Sequence, residues 1–156
     1  MSDADAAIPP LVVDFEVPVD AEHAFEVWTS RAALWWPPGH TVSGRPEAIV
    51  FEPRRGGRIY ERDGQDGQHT WGEILHWEPP VRITFLWHLF FARSEATRVE
   101  LTFTPTAGGT VVRLVQTGWE ALGDAGAARR ERTVGGWATV TAAYGSRCST
   151  PTEESA

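Results

Sequence analysis

The chain has 156 residues, 42% hydrophobic and 22% charged, with a net charge of −7. That is the make-up of one ordinary globular domain, and it excludes a disordered, collagen-like or coiled-coil chain. One cysteine, Cys148, and fourteen arginines with no lysine exclude an intrachain disulfide, a cysteine-cluster metal centre, a Schiff-base lysine and a phosphate-loop lysine.

Residues 1–9 read as a flexible N-terminal tail, 10–148 as one domain and 149–156 as a flexible C-terminal tail. Leu11–Val17 alternates and is rich in β-formers, which predicts a strand. Asp20 has the chemistry of a helix N-cap. After it, Ala21, Ala24, Phe25 and Trp28 fall at i, i+3, i+4 and i+7, one apolar face of a short helix. A second short helical piece over Arg31–Trp35 is stopped by Pro37-Pro38-Gly39.

From Ala48 the signals are β: Ala48–Glu52, Arg58–Arg62, His69–Glu78, Val81–Leu89, Arg98–Thr104 and Thr110–Thr117, separated by Gly-, Asp- and Pro-rich turns. Such short connections imply antiparallel neighbours. Alternation in Val81–Leu89 sends Val81, Ile83, Phe85, Trp87 and Leu89 to one face. Arg82, Thr84 and His88 go to the other, solvent-facing side. The chain ends in a long helix, about Asp124–Arg147, with Val134, Trp137, Thr141, Tyr144 and Cys148 on one face. Gly135-Gly136 and the β-branched run Thr139-Val140-Thr141 lower its propensity. The order predicts an α+β fold, with a curved antiparallel sheet of about seven strands, two short helices after the first strand, and a long C-terminal helix. A sheet curved around that helix leaves a cavity between them.

Four of the acids (Asp3, Asp5, Glu153, Glu154) sit in the tails, which leaves −3 for residues 11–150. A mildly acidic domain speaks against nucleic acid or an anionic membrane as the main partner. No apolar run approaches about 18 residues, and Met1–Pro10 lacks the apolar core of a secretory signal. The expected location is the cytoplasm. Eight tryptophans and seven phenylalanines have two readings, a core built from large aromatics or a concave aromatic-walled site.

Several strings, in order, carry a resemblance. They are Trp35-Trp36-Pro37-Pro38-Gly39, Glu52-Pro53-Arg54-Arg55-Gly56-Gly57, Trp71-Gly72-Glu73-Ile74 and Glu78-Pro79-Pro80-Val81-Arg82-Ile83. Phe85-Leu86-Trp87, Gly109-Thr110-Val111-Val112, Gln116-Thr117-Gly118-Trp119 and Gly136-Trp137 follow. Over about residues 9–148 the chain resembles the START/Bet v 1-like (SRPBCC) superfamily. Within it, the chain is similar to bacterial proteins related to the C-terminal domain of the activator of heat-shock protein 90 ATPase. The resemblance implies a helix-grip fold. It leaves three functions open: binding of a small apolar or aromatic ligand between sheet and C-terminal helix, a cyclase or hydrolase using the same cavity, and a chaperone-regulator-like interaction module. A homodimer and a chaperone partner stay open with them.

The expected cavity wall is Trp36, Tyr60, Trp71, Phe85, Trp87, Leu101, Leu114, Trp137 and Tyr144, around a space of about 300 Å³ or more. Gln116 joins it. Arg113 is costly to bury unpaired, so its face of Thr110–Thr117 is the outer one and Gln116 points inward. There its amide must find a partner, such as Tyr60, Tyr144, a water or a ligand. Glu73 and His76 are the best acid–base pair by type. They are three apart on a strand, so only a bulge would put both on one face. His40, His69, His76 and His88 show no metal-ligand spacing, and neither a metal nor a cofactor is expected. Gly56-Gly57 lacks a phosphate-loop context, and the serines lack a nucleophile elbow. Arg54, Arg55, Arg58 and Arg62 form either a solvated face balanced by Glu52 and Glu61 or a carboxylate clamp.

Overall fold

The alternation read in the sequence becomes seven strands in the computed structural model, which describes residues 8–89 and 91–149. They are β1 (Leu11–Val17), β2 (Pro46–Phe51), β3 (Arg58–Asp63), β4 (Gln68–Glu78), β5 (Arg82–Trp87), β6 (Thr97–Pro105) and β7 (Thr110–Thr117). All neighbours are antiparallel, in the order β1-β7-β6-β5-β4-β3-β2. Helices α1 (Ala21–Thr29) and α2 (Gly126–Ser149) are joined by 3₁₀ turns at Ala32–Leu34, Pro38–His40, Arg93–Glu95 and Trp119–Ala125. The fold is an α+β helix grip, as the resemblance implies. Among the described residues no helix is long and apolar enough to cross a membrane.

Charge fixes which face of the sheet is inside. On β7, Arg113 stands opposite Asp14 of β1 and makes a two-pronged pair, Nε to Oδ1 at 2.7 Å and Nη2 to Oδ2 at 3.1 Å. That pair marks the outer face. Val112, Leu114 and Gln116 therefore turn inward, with Leu11, Val13 and Phe15 across from them.

α1 starts where expected: Asp20 Oδ1 accepts from the His23 amide at 2.8 Å, which satisfies one of the helix's orphan donors. Its buried face carries Ala24, Phe25 and Trp28. The Tyr144 hydroxyl of α2 donates to the Ala24 carbonyl at 2.7 Å and ties the two helices together. Indole N–H groups hold the segment after α1. Trp35 donates to the Val27 carbonyl and Trp36 to the His40 carbonyl.

β4 carries two extra residues. Ile59 opposes Gly72 but Tyr60 opposes Thr70, so Trp71 is bulged; Ile74 opposes Phe85 but His76 opposes Thr84, so Leu75 is bulged. A Cβ on Gly72 would lie 2.0 Å from the Leu86 carbonyl, so only glycine lets the strands meet beside the first bulge.

Three expectations on packing need correction. Val81 is exposed, because β5 begins one residue later and Val81 closes the turn from Glu78. Thr84 and His88 are buried, not solvent-facing. Thr84 sits mid-sheet between His76 and Glu100, and His88 lies beyond the end of β5, where strand parity no longer applies. Val134 is 44% exposed; the stripe of α2 runs through Thr133, one position earlier. Ile8 packs on the core and the Pro9 carbonyl accepts from Arg130. The remainder of the expected tails, residues 1–7 and 150–156, lies outside the described residues.

Candidate ligand-binding site

Most of the aromatic residues are core. Trp28, wholly buried, contacts Trp35, Trp36, Trp137 and Tyr144, with ring centroids 5.1, 6.3, 6.4 and 4.8 Å away. Trp36 continues the cluster to Trp71 and Trp87, and Trp87 to Trp137. At one end of this cluster, under the first half of α2, the indoles border open space. There a cavity of about 250 Å³ opens to solvent. It is slightly under the usual ligand-site range of about 300–1,000 Å³, and under the size expected from the sequence.

Three indoles, Trp36, Trp87 and Trp137, line it. α2 contributes Arg129, Arg132, Thr133, Gly136, Trp137 and Val140. These positions run i, i+3, i+4, i+7, i+8, i+11, which is one face of a helix. The segment after β5 contributes Leu89 and Phe91, and the 3₁₀ turn after α1 contributes His40. Among the described residues the His40 ring has no hydrogen-bond partner, and it lies against Gly136, where an added Cβ would sit 3.8 Å from its Cε1.

Gln116 reaches the cavity from β7 at 1% exposure. Its amide is already engaged: Nε2 donates to Thr97 Oγ1 and Oε1 accepts from Trp137 Nε1, both at 2.6 Å. The partners are thus Thr97 and Trp137, not Tyr60 or Tyr144. The Gln116 side chain sets the plane of the Trp137 wall.

The other expected wall residues lie elsewhere. Trp71, Phe85, Leu101, Leu114 and Tyr144 are wholly buried core beneath the cavity. Tyr60 is on the outer face with the Arg58 guanidinium 4.2 Å over its ring. Its neighbours Ile59 and Glu61 take the inward positions. The bulge that Glu73 and His76 needed does exist at Leu75, but the face they share is the outer one. Glu73 pairs with Arg93 there, and His76 stands beside Thr84. Neither reaches the cavity. His69 pairs with Asp63, and Arg54, Arg58 and Arg62 pair with Glu52 and Glu47 at the surface. Among the described residues no group of His, Cys, Asp and Glu is gathered closely enough to hold a metal.

Two buried charges were not foreseen. Glu61 is wholly buried; it accepts from the Val42 and Ser43 amides at 2.7 and 2.8 Å and from Trp71 Nε1 at 2.9 Å. Burial pushes its pKa up, but hydrogen bonds from Ser43, Val42 and Trp71 outweigh that and leave it below the ordinary value. It anchors the 41–44 loop to the sheet. Arg129, 6% exposed, lies 3.5 Å over the Phe91 ring and donates from Nη1 to the Glu95 carbonyl at 2.9 Å. Burial lowers its pKa, Glu95 pulls it back up and Arg132 adds to the lowering. A guanidinium nonetheless stays charged in proteins. The sequence signal for Arg129, Arg132, Thr133 and Gly136 was their helical spacing, hidden because none of them is apolar.

The family model for Activator of Hsp90 ATPase homolog 1-like protein matches residues 18–143. The chain belongs to this family. The solved structure of the anthrahydroquino-γ-pyrone synthase Txn09 complexed with SUM is 36% identical over 80% of this chain and 86% of that one, with a TM-score of 0.57. Two further structures share the fold. Protein MLL2253 from Mesorhizobium loti is 20% identical over 88% of this chain and 95% of that one, with a TM-score of 0.65. CalU16 from Micromonospora echinospora is 18% identical over 93% and 78%, with a TM-score of 0.62. No curated protein matches the chain. In this member of the Activator of Hsp90 ATPase homolog 1-like family, the cavity lies between α2 and the inner face of the sheet.

Proposed function

We propose that the chain binds a small aromatic molecule in this cavity. The observation that carries the reading is the meeting of three indoles at a solvent-open space that the core leaves unfilled. A cavity of about 150 Å³ suffices for benzene, so 250 Å³ takes roughly two fused rings, and anything larger protrudes through the mouth. Burying a few hundred Å² of ring surface at about 25 cal/mol per Å² supports micromolar binding after association costs. The test is a titration with 2-naphthamide, a neutral two-ring probe, followed by tryptophan emission. Saturable quenching with a micromolar Kd, weakened in Gly136→Leu, is expected. No saturation up to millimolar probe in the folded protein would reject the reading.

A second reading, a cyclase, is favoured by the 36% identity to the γ-pyrone synthase. His40 is the one imidazole lining the cavity, and general acid–base work needs such a group within reach of the substrate proton. On this reading His40 takes the proton of a phenolic or enolic oxygen as that oxygen bonds to the electrophilic carbon of a conjugated C=C in the same molecule; the C=C π pair moves to the α-carbon, which takes the proton back from His40. The check is turnover of that synthase's substrate by the purified protein. His40→Gln should lose at least about a hundred-fold in kcat while still binding. No turnover by the wild-type protein leaves binding as the whole function.

A further inference from the structure

Two charged groups are buried inside this chain, and they are matched very differently. Glu61 has three donors around its carboxylate. Among the described residues Arg129, with five N–H donors, makes one side-chain hydrogen bond, to the neutral Glu95 carbonyl, and has no carboxylate within ion-pair distance. Glu95 offsets the burial of Arg129 only in part, and a buried cation that is not directly paired is costly. Arg129 also lines the cavity, with Arg132 one turn further along the same face, and no Asp or Glu is among the lining residues. A protein of net charge −7 thus presents a cavity whose charged lining, among the described residues, is two arginines. The Gln116 amide is occupied by Thr97 and Trp137, so the polar groups left to meet a ligand are the His40 ring and the guanidinium donors that Arg129 and Arg132 have to spare.

We propose that the ligand is an aromatic anion, its carboxylate or phenolate oxygen held by Arg129 and Arg132 and its rings set among Trp36, Trp87 and Trp137. The inference rests on the aromatic-binding reading above and adds the charge of the ligand. Guanidinium suits both oxygens of a carboxylate or a single phenolate oxygen, because its donors form a planar fork. The low-dielectric, aromatic-lined surroundings strengthen that pairing relative to water.

The experiment compares 2-naphthoate with 2-naphthamide at one pH and one ionic strength. The two share rings and size and differ in charge. The wild-type protein should bind naphthoate about ten-fold or more tightly, with a preference that shrinks as salt rises. Arg132→Glu, at an exposed position, should abolish or reverse the preference, read as the ratio of the two Kd values. Arg129→Gln should abolish it too. Should that variant not fold, Arg132→Glu carries the test alone. A merely structural Arg129, tying α2 to the 93–95 turn, would move the melting temperature and not the naphthoate-to-naphthamide ratio. Equal affinity for the two probes in the wild type overturns the anion proposal and leaves aromatic binding intact. A preference unchanged in Arg132→Glu overturns the assigned site. Failure of both probes to bind overturns both readings.

Discussion

The two halves of α2 do different work with the same face. From Trp137 to Cys148 the face is Trp137, Val140, Thr141, Tyr144 and Cys148, all buried, with Trp137 and Val140 at the inner edge of the cavity. From Arg129 to Gly136 it is Arg129, Arg132, Thr133 and Gly136, lining a cavity. The backbone is one continuous helix, so the difference lies in side chains alone. The second half carries large groups that reach the sheet and α1. The first carries a glycine and a short hydroxyl facing the sheet, and its long side chains end in charge. Packing energy should therefore sit in the second half and ligand selection in the first.

The strongest way to break this division is Tyr144→Ala. Tyr144 is wholly buried against Trp28 and Trp35 and donates to Ala24. Its loss should cost about 3–5 kcal/mol in denaturant unfolding. Arg132→Ala, in the first half, should stay within about 0.5 kcal/mol of wild type. Comparable losses for the two would end the distinction.

A pH experiment probes the second half without mutation. Burial raises the Cys148 thiol from 9.0 to about 11, against smaller lowering by Tyr144 and Arg147. The Tyr144 hydroxyl is pushed further in the same direction, chiefly by burial. Both groups hold their protons more tightly folded than unfolded. The stability Cys148 contributes is therefore complete below pH 9 and is lost as pH rises from about 9 toward 11, while that of Tyr144 begins to fall only above about pH 10. For Cys148 the fall is at most about 1.4 kcal/mol per pH unit. Unfolding free energies measured between pH 8 and 11 should fall accordingly. In Cys148→Ala the slope should be shallower, from a lower starting stability. A flat profile in the wild type would show that the thiol is not buried.

Gln116→Leu comes next in size. It strands the Trp137 N–H and leaves the Thr97 hydroxyl only its 3.4 Å bond to the Trp87 carbonyl, which should cost about 1–3 kcal/mol of stability. The emission of Trp137 should also change as its ring loses its fixed plane. Unchanged stability would mean that the two short hydrogen bonds contribute nothing.

The fold was legible because alternation and capping are local. Asp20, the strand Leu11–Val17 and the inward Gln116 follow from residue types and parity. Parity failed wherever a strand was bulged or ended: Trp71 and Leu75 are bulges, and His88 sits past β5. Apart from Gln116, the site was legible only where it is apolar. Trp36, Trp87 and Trp137 could be named, since aromatic residues inside a grip must face something. Which of the inward aromatics border space, and which are backed by others, depends on the summed volumes of residues distant in sequence. Glu61 looked like a surface charge because its donors, the amides of Val42 and Ser43, come from a loop with no pattern. Arg129 was passed over because a hydrophobic stripe was sought on α2, while the stripe there is cationic and small.

The smallest effect separates the two halves most cleanly, because it compares neighbouring residues of one type. Gly135 and Gly136 both sit inside α2, where glycine is about 0.8–1.0 kcal/mol worse than alanine. A Cβ at Gly135 meets nothing within 4 Å, and one at Gly136 meets only the His40 ring at ordinary contact distance. Either alanine should therefore stabilise the protein by up to about 1 kcal/mol, raising Tm by roughly 2–4 °C. Their effects on binding should part. The Gly136 methyl enters the cavity against His40, and one added methyl group in an apolar pocket is worth about 1–3 kcal/mol. 2-Naphthamide should bind Gly136→Ala about ten-fold more weakly and Gly135→Ala unchanged. A helix that carries a glycine at the cost of its own stability, at the one position where a side chain would fill the cavity, is keeping that space open. Equal affinity in the two variants would mean that the probe sits elsewhere and that Gly136 holds no space for a ligand.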